Sequence, residues 1–199
     1  MHELHDGYTQ FRKDVYPAKA QSFSRLATEH RPGTLFIGCS DARVVPEPIT
    51  QSEPGELFVI RTAGNLVPAY VPGADGVVAS IEYAVAVLGV SDIVVCGHTA
   101  CGAMTALAEG HDLGAAPVIA DWLRHADAAR ARAAAVPAAA GPAGVTTLVR
   151  ANVAAQAQNP ATRPSVTRAL AEGALALHGW VFDITTGTAE TVDDAVATS

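Results

Sequence analysis

Three short apolar runs punctuate the first half of the chain. Thr34-Leu35-Phe36-Ile37-Gly38-Cys39 and Asp92-Ile93-Val94-Val95-Cys96-Gly97 are nearly continuous apolar stretches. Glu56-Leu57-Phe58-Val59-Ile60-Arg61 repeats the pattern after a Pro54-Gly55 turn. Runs of this length without polar alternation predict strands buried on both faces, as in a parallel sheet. A further strand is predicted late, at Gly179-Trp180-Val181-Phe182-Asp183-Ile184. Between the strands the spacing turns helical. Val77, Ile81, Val85 and Leu88 share one face of a predicted helix from Gly76 to Leu88, which stops at Gly89. Ala100 to Ala108 and Pro117 to Ala135 read as two more helices. Residues 8–30 are polar with spaced apolar positions (Phe11, Val15, Phe23, Leu26), which predicts one or two helices broken at Pro17. The segment 126–144 is rich in alanine; its first half reads as helix and residues 136–144 as a mobile surface loop. Strands alternating with helices predict an α/β fold with a central, mostly parallel sheet flanked by helices. The whole chain, 1–199, reads as a single domain with an N-terminal helical arm over 1–30.

Composition narrows the function. Hydrophobic residues make up 49% of the 199 residues, enough for a substantial core. Only 17% are charged, so part of the surface is expected to be small, apolar or covered by another subunit. A net charge of −7 argues against a partner that is a nucleic acid or an anionic membrane. The opening MHELHDGYTQFRKDVYP has no apolar core of the signal-peptide kind, and no run of about 18 apolar residues occurs, which gives a cytoplasmic expectation. Three cysteines (Cys39, Cys96 and Cys101) in such a chain point to buried thiols, metal ligands or catalysis rather than a disulfide framework.

Two predicted strand ends carry the chemistry. The first gives Cys39-Ser40-Asp41-Ala42-Arg43 and the third gives Gly97-His98-Thr99-Ala100-Cys101-Gly102. In parallel sheets ligands gather outside the carboxyl ends of strands, so both clusters fall where a site is expected. Two thiolates and an imidazole suit zinc in a tetrahedron. His98 and Cys101, three apart at a helix start, can face one point. Cys96 sits inside a buried strand and reads as an inert core thiol. The fourth position then falls to Asp41 or to a water, as a catalytic zinc requires. Other readings fit less of the pattern. A nucleophilic Cys39 with His98 as its base leaves Cys101 without a role. A dinucleotide site lacks the G-x-G-x-x-G turn.

The chain resembles the β-class carbonic anhydrases. The likeness lies in CSDARVVPE (39–47), PGELFVIRTAGNLV (54–67), SIEYAVAVLGV (80–90), IVVCGHTACGAM (93–104), RANVAAQ (150–156) and LHGWVFDITTG (177–187). The resemblance implies one zinc per chain, held by Cys39, His98 and Cys101, and reversible hydration of carbon dioxide to bicarbonate and a proton by zinc-bound hydroxide. It implies that Asp41 accepts a hydrogen bond from that hydroxide, that Arg43 holds Asp41 in a bidentate pair, and that a released Asp41 can become a fourth ligand. Two thiolates offset the metal charge, so an alkaline activity optimum is expected. Phe58, Ala63 and Tyr83 would line an apolar pocket for CO2, with Tyr83 given across a dimer interface, and the Gly102 N–H would help place bicarbonate. The arm would pack on a neighbouring subunit in a homodimer or a dimer of dimers.

Some positions depart from the family pattern. His30 stands where many relatives have a substrate-binding Gln, and Ala63 where several have Val. A regulatory bicarbonate site in some bacterial relatives uses Trp, Arg and Tyr where this chain has Phe36, Arg61 and Phe182; two hydrogen-bond donors are thus missing, and no such site is expected. Two rival functions remain at this stage. Similar chains hydrolyse carbonyl sulfide or carbon disulfide on the same zinc site. A non-catalytic zinc-stabilised module would instead show a fourth protein ligand.

Overall fold

The computed structural model describes residues 2–73, 75–136 and 141–192. The chain divides at Arg31 into two compact units, 1–31 and 32–199. The first is helical as far as Leu26: α1 (His2–Gln10) runs through a π turn (Phe11–Val15) into α2 (Tyr16–Leu26). The interruption expected at Pro17 takes the form of a bend rather than a gap. Phe11 and Phe23 are twelve residues apart, about 18 Å along a straight helix. Their ring centroids nevertheless lie 6.1 Å apart, with Tyr16 stacked on Phe23 at 5.6 Å. The axis must therefore bend between them. In the π turn the Tyr16 N–H reaches back five residues to the Phe11 carbonyl. Pro17 falls in the first turn of α2, directly after the π turn.

The second unit runs β1 (Thr34–Cys39), α3 (Pro46–Thr50), β2 (Leu57–Thr62), α4 (Gly76–Glu82), β3 (Asp92–His98), α5 (Gly102–Glu109), α6 (Pro117–Trp122), α7 (Asp127–Ala134), α8 (Pro142–Gln158), α9 (Pro164–Ala171), β4 (Ala176–Phe182) and β5 (Ala189–Thr191). A π turn extends α4 to Leu88, and Gly89 closes it in the left-handed region at φ 70°. The sheet order is β2-β1-β3-β4-β5. The first four strands are parallel, and β5 pairs antiparallel with β4. The chain leaves β1 toward β2 on one side and leaves β3 toward β4 on the other. The carboxyl ends of β1 and β3 therefore flank a switch point, where an open α/β sheet leaves a crevice.

Three expectations shift. The last strand starts three residues earlier than its apolar run and ends two earlier. Backbone pairing from Asp92↔Ala176 to His98↔Phe182 carries it along the whole of β3. It stops because Asp183 folds into a turn, its carboxylate taking the Thr185 N–H at 2.8 Å. The helix expected over 117–135 is three successive segments, with a 3-10 turn (Leu123–Ala126) between α6 and α7. Of the loop expected over 136–144, residues 137–140 lie outside the described residues, and 142–144 form the first turn of α8 with Pro142 at its start.

The faces of the sheet carry separate cores. Leu35, Ile37, Ile93, Val95, Leu177 and Val181 join Ile81, Val149, Val153 and Val166 from the helices in the larger one. The smaller is built from strands alone: Phe36, Val94 and Cys96, with Leu57, Val59, Trp180 and Phe182 against them. At the amino ends of β3 and β4, Asp92 accepts from the Ser91 hydroxyl at 2.7 Å and meets His178 Nε2 at 2.8 Å. These contacts, the Ser91 hydroxyl foremost, hold the Asp92 carboxyl below its ordinary range. A carboxylate with a depressed folded-state pKa stabilises the fold above its unfolded pKa, and that stabilisation is lost as pH falls through the folded value. Asp92→Asn should thus lower the denaturation midpoint near pH 7, with the gap to wild type closing below about pH 4. Denaturant titrations at both pH values check this; a gap that does not depend on pH contradicts it.

Candidate metal centre

Cys39 ends β1, His98 ends β3, and Cys101 caps the amino end of α5. Because β1 and β3 are neighbours, the three side chains meet. The two sulfurs and a His98 ring nitrogen all lie within 4.8 Å of one another, and all three residues are buried. Among the described residues no other group of three such side chains converges in this way. His98 is fully enclosed, and its Nδ1 is 2.9 Å from the Thr99 carbonyl. A carbonyl only accepts, so Nδ1 carries the proton and the Nε2 of the neutral ring presents a lone pair. That Nε2 is buried with no hydrogen-bond partner. A buried polar atom without a partner costs about 1–3 kcal/mol, which a bound cation removes.

The two sulfurs lie within 4.8 Å of each other. The neighbouring Cys101 thiol, with smaller contributions from His98 and from the Asp41 and Gly64 backbone, lets Cys39 ionise more readily than an ordinary thiol despite its burial. Cys101 is pushed in the opposite direction by the adjacent Cys39 sulfur and by burial. Cys96 lies apart, in the core on the other sheet face, where its Sγ contacts the Gly97 carbonyl at 3.4 Å. Burial pushes its thiol up to about 12.

Asp41 stands at the rim. Its Oδ1 accepts from the Arg43 backbone N–H at 3.0 Å and from Arg43 Nε at 2.9 Å; its Oδ2 accepts from Arg43 Nη2 at 2.7 Å. Arg43 thereby holds the carboxyl well below the usual range. The same Nη2 donates to the Ala100 carbonyl at 3.0 Å, tying the Asp41 turn to the loop between His98 and Cys101. Asp41 Oδ2 is 3.8 Å from His98 Nε2. Asp41 caps no helix: the nearest one, α3, has Val45 at its N-cap. Behind this turn Arg61 donates from Nε to the Cys39 carbonyl and from Nη2 to the carbonyls of Asp41 and Val44.

The remaining predicted residues are distributed around this centre. Gly102 opens α5 beside Cys101. Phe58 on β2 and Tyr83 after α4 have ring centroids 6.0 Å apart, with Tyr83 43% exposed. Ala63 lines an open groove of about 620 Å³ together with Ser40, Arg61, Ile119 and Trp122. His30 is exposed and belongs to the N-terminal unit rather than to the unit that carries the cluster.

Several contributors were not foreseen from sequence. The Thr99 carbonyl sets the His98 tautomer, and the Ala100 carbonyl anchors Arg43. Trp122 and Asn152 hold the turn after β2, the first through Ala63 O and the second through Gly64 O, each at 3.0 Å. The available signal for Asn152 was its spacing: Asn152 and Gln156, four apart, are the polar positions after Arg150 in the RANVAAQ motif.

This centre has close counterparts in known proteins. The carbonic anhydrase family model matches residues 34–189. A carbonic anhydrase of Pseudomonas aeruginosa is 56% identical over 98% of this chain and 89% of its own length. Among solved structures, the β-carbonic anhydrase CcaA superposes with a TM-score of 0.93 at 38% identity, covering 97% of this chain and 95% of that one. Two tetrameric β-carbonic anhydrases from Sordaria macrospora are represented at a TM-score of 0.82 and 30% identity, with 96% of each chain covered. The chain belongs to the β-class carbonic anhydrases, zinc enzymes that hydrate carbon dioxide.

Close packing fixes where His98 can sit. A Cβ built on Gly97 would lie 2.6 Å from Val153 Cγ2 on α8. Valine is stiff at χ1 in a helix, so the clash cannot be relieved by rotation. Gly97→Ala should cost about 1–3 kcal/mol of stability, the range for overpacking. The double variant with Val153→Ala should recover much of that loss. Thermal and denaturant melts of both check it; a Gly97→Ala protein as stable as wild type contradicts the packing described.

Proposed function

We propose that Cys39, His98 and Cys101 hold one zinc ion per chain, and that Asp41, oriented by Arg43, positions the water that attacks carbon dioxide. The unpartnered lone pair of His98 Nε2, buried between two thiol groups, is the observation that carries the assignment. The donor set fits zinc: two soft sulfurs and one imidazole nitrogen, with the other ring nitrogen hydrogen-bonded as zinc-binding histidines require. A zinc ion held there supplies Lewis acidity, lowering the ionisation of water from about 15.7 to about 7.

The chain's own groups do the rest. The Cys39 and Cys101 thiolates contribute two negative charges, and His98 stays neutral. Asp41 Oδ2 takes a hydrogen bond from the attacking water and turns a lone pair of that water toward the carbon of CO2. With Arg43 holding it ionised, Asp41 orients the water but does not keep a proton; each turnover releases that proton to buffer. Phe58, Ala63 and Tyr83 offer apolar surface to an apolar substrate, and the Gly102 N–H is placed to donate to product oxygen. His30 keeps the substrate-donating or proton-accepting role that the resemblance assigns to it. Arg61 is engaged by three loop carbonyls and Phe36 packs edge-on against Trp180, so no second, regulatory bicarbonate site is assigned at Phe36, Arg61 and Phe182.

We also propose that the active form is a homodimer or a dimer of dimers. Tetrameric assembly of the Sordaria relatives supports this, as do exposed apolar side chains at Val71, Val87 and Val118. Among the described residues no helix is long and apolar enough to cross a membrane. A cytoplasmic setting fits that observation.

Metal analysis joined to stopped-flow CO2 hydration tests the site. Cys39→Ser and Cys101→Ser should lose zinc and activity together, while Cys96→Ala keeps both. Asp41→Ala and Arg43→Ala should retain zinc yet lose turnover by about tenfold or more, the range for an oriented hydrogen-bonding group. Full zinc occupancy in both cysteine variants overturns the ligand set, and wild-type turnover in both dyad variants removes their role. Sedimentation at assay concentration checks the assembly; a fully active monomer refutes it.

A further inference from the structure

The short loop Thr99–Ala100, between His98 and Cys101, is tied to the turn that follows β4. The Thr99 N–H donates to the Phe182 carbonyl at 2.9 Å, one step beyond the last pair of the β3–β4 ladder. The Thr99 hydroxyl donates to Asp183 Oδ1 at 3.3 Å and accepts from the Ile184 N–H at 3.1 Å. The bond to Asp183 spans 84 residues of sequence, so it is no local turn contact. Asp183 is fixed in its own right. Its Oδ1 also takes the Thr185 N–H, its N–H donates to the Thr188 carbonyl, and its carbonyl accepts from the Gly187 N–H, each at 2.8 Å. The two carbonyls of the loop serve the site. Thr99 O accepts from His98 Nδ1 at 2.9 Å, and Ala100 O accepts from Arg43 Nη2 at 3.0 Å. Ala100 lies at φ 54°, a region that a residue with a Cβ keeps only where its surroundings enforce it.

We infer that Thr99 and Asp183 are positioning residues of the metal centre: the Thr99 hydroxyl latches the loop to the turn after β4, and so aims the two carbonyls that hold His98 and Arg43. The inference rests on the reading of His98 as a zinc ligand. A carbonyl on Nδ1 keeps the proton there, leaves Nε2 for the metal and fixes the plane of the ring, the role that outer partners of ligating histidines play. It can do so only if the peptide that carries it cannot turn. Threonine is branched at Cβ and stiff at χ1, so anchoring its hydroxyl also anchors its backbone. The hydroxyl is both donor and acceptor here, a pair of roles that serine can fill and valine cannot. Asp183 thus reaches His98 through one residue and Arg43 through two.

Zinc release to a chromophoric chelator and the absorption spectrum of the Co2+-substituted enzyme test this without relying on activity. Wild type should show a sulfur-to-cobalt charge-transfer band; its absence overturns the ligand set on which the inference rests. Given that band, Thr99→Val, which keeps the side-chain shape but lacks the hydroxyl, should release zinc about tenfold faster and shift the ligand-field bands, the low end of losses for outer partners of metal ligands. Asp183→Ala, on a partly exposed turn, removes the same bond from its other end and should act in the same direction. Thr99→Ser should restore wild-type release. Val166→Ala, a core truncation on α9, should lower the thermal midpoint yet keep wild-type release and spectrum. Wild-type release and spectrum in Thr99→Val or in Asp183→Ala overturn the inference. So does a Thr99→Ser protein that releases zinc as fast as Thr99→Val, or an equal change in Val166→Ala.

Discussion

Two buried thiol sulfurs and an imidazole nitrogen share a space less than 5 Å across, and that crowding governs the rest of the structure. Two thiolates this close inside a core cannot both be charged without a cation between them, since burying unpaired charge is costly. The buried His98 Nε2, with no hydrogen-bond partner, poses a second demand at the same point. A divalent ion resolves both problems at once. It takes up the negative charge and the nitrogen lone pair, and it leaves room on the open side beside Asp41.

The surroundings read as devices that hold this arrangement in place. Sheet order puts the ends of β1 and β3 side by side at the switch point. Gly97 lets α8 approach close behind His98, and Gly64, in the left-handed region, lets the turn after β2 pack against Ala103 and Met104 of α5. Ala100 adopts the left-handed region at φ 54°, uncommon for a residue with a Cβ, and its carbonyl is the anchor for Arg43. Strain of that kind survives only where neighbouring contacts enforce it. Asp41 is thereby fixed from two directions, by the fork of Arg43 in front and by the carbonyl clamp of Arg61 behind.

How much of this could be read from sequence depended on the kind of signal. β1 and β3 announced themselves because both faces are buried and their apolar runs are unbroken. The late strand was misplaced because His178 and Ala176 dilute its beginning; its burial alternates along the strand. α8 went unrecognised as a helix because it is buried on most sides, and its sequence lacks a single apolar stripe. The cysteine and histidine ligands were legible by residue type and spacing, and the Asp41–Arg43 pair by the short step between them. Backbone roles were not legible, since a carbonyl such as Thr99 O or Ala100 O has no signature in a side-chain alphabet. The N-terminal arm was visible as helix, but its bend between Phe11 and Phe23 follows from aromatic contacts that only the folded chain shows.

The central claim is that two sulfurs and one imidazole from this chain bind a single zinc and leave its fourth position to a light atom. X-ray absorption at the zinc edge of the purified enzyme near neutral pH measures that directly. The account predicts two sulfur scatterers at about 2.3 Å and two nitrogen or oxygen scatterers at about 2.0–2.1 Å, one of them with the outer-shell signature of imidazole. A third sulfur in the first shell, or a shell with no sulfur at all, would contradict it.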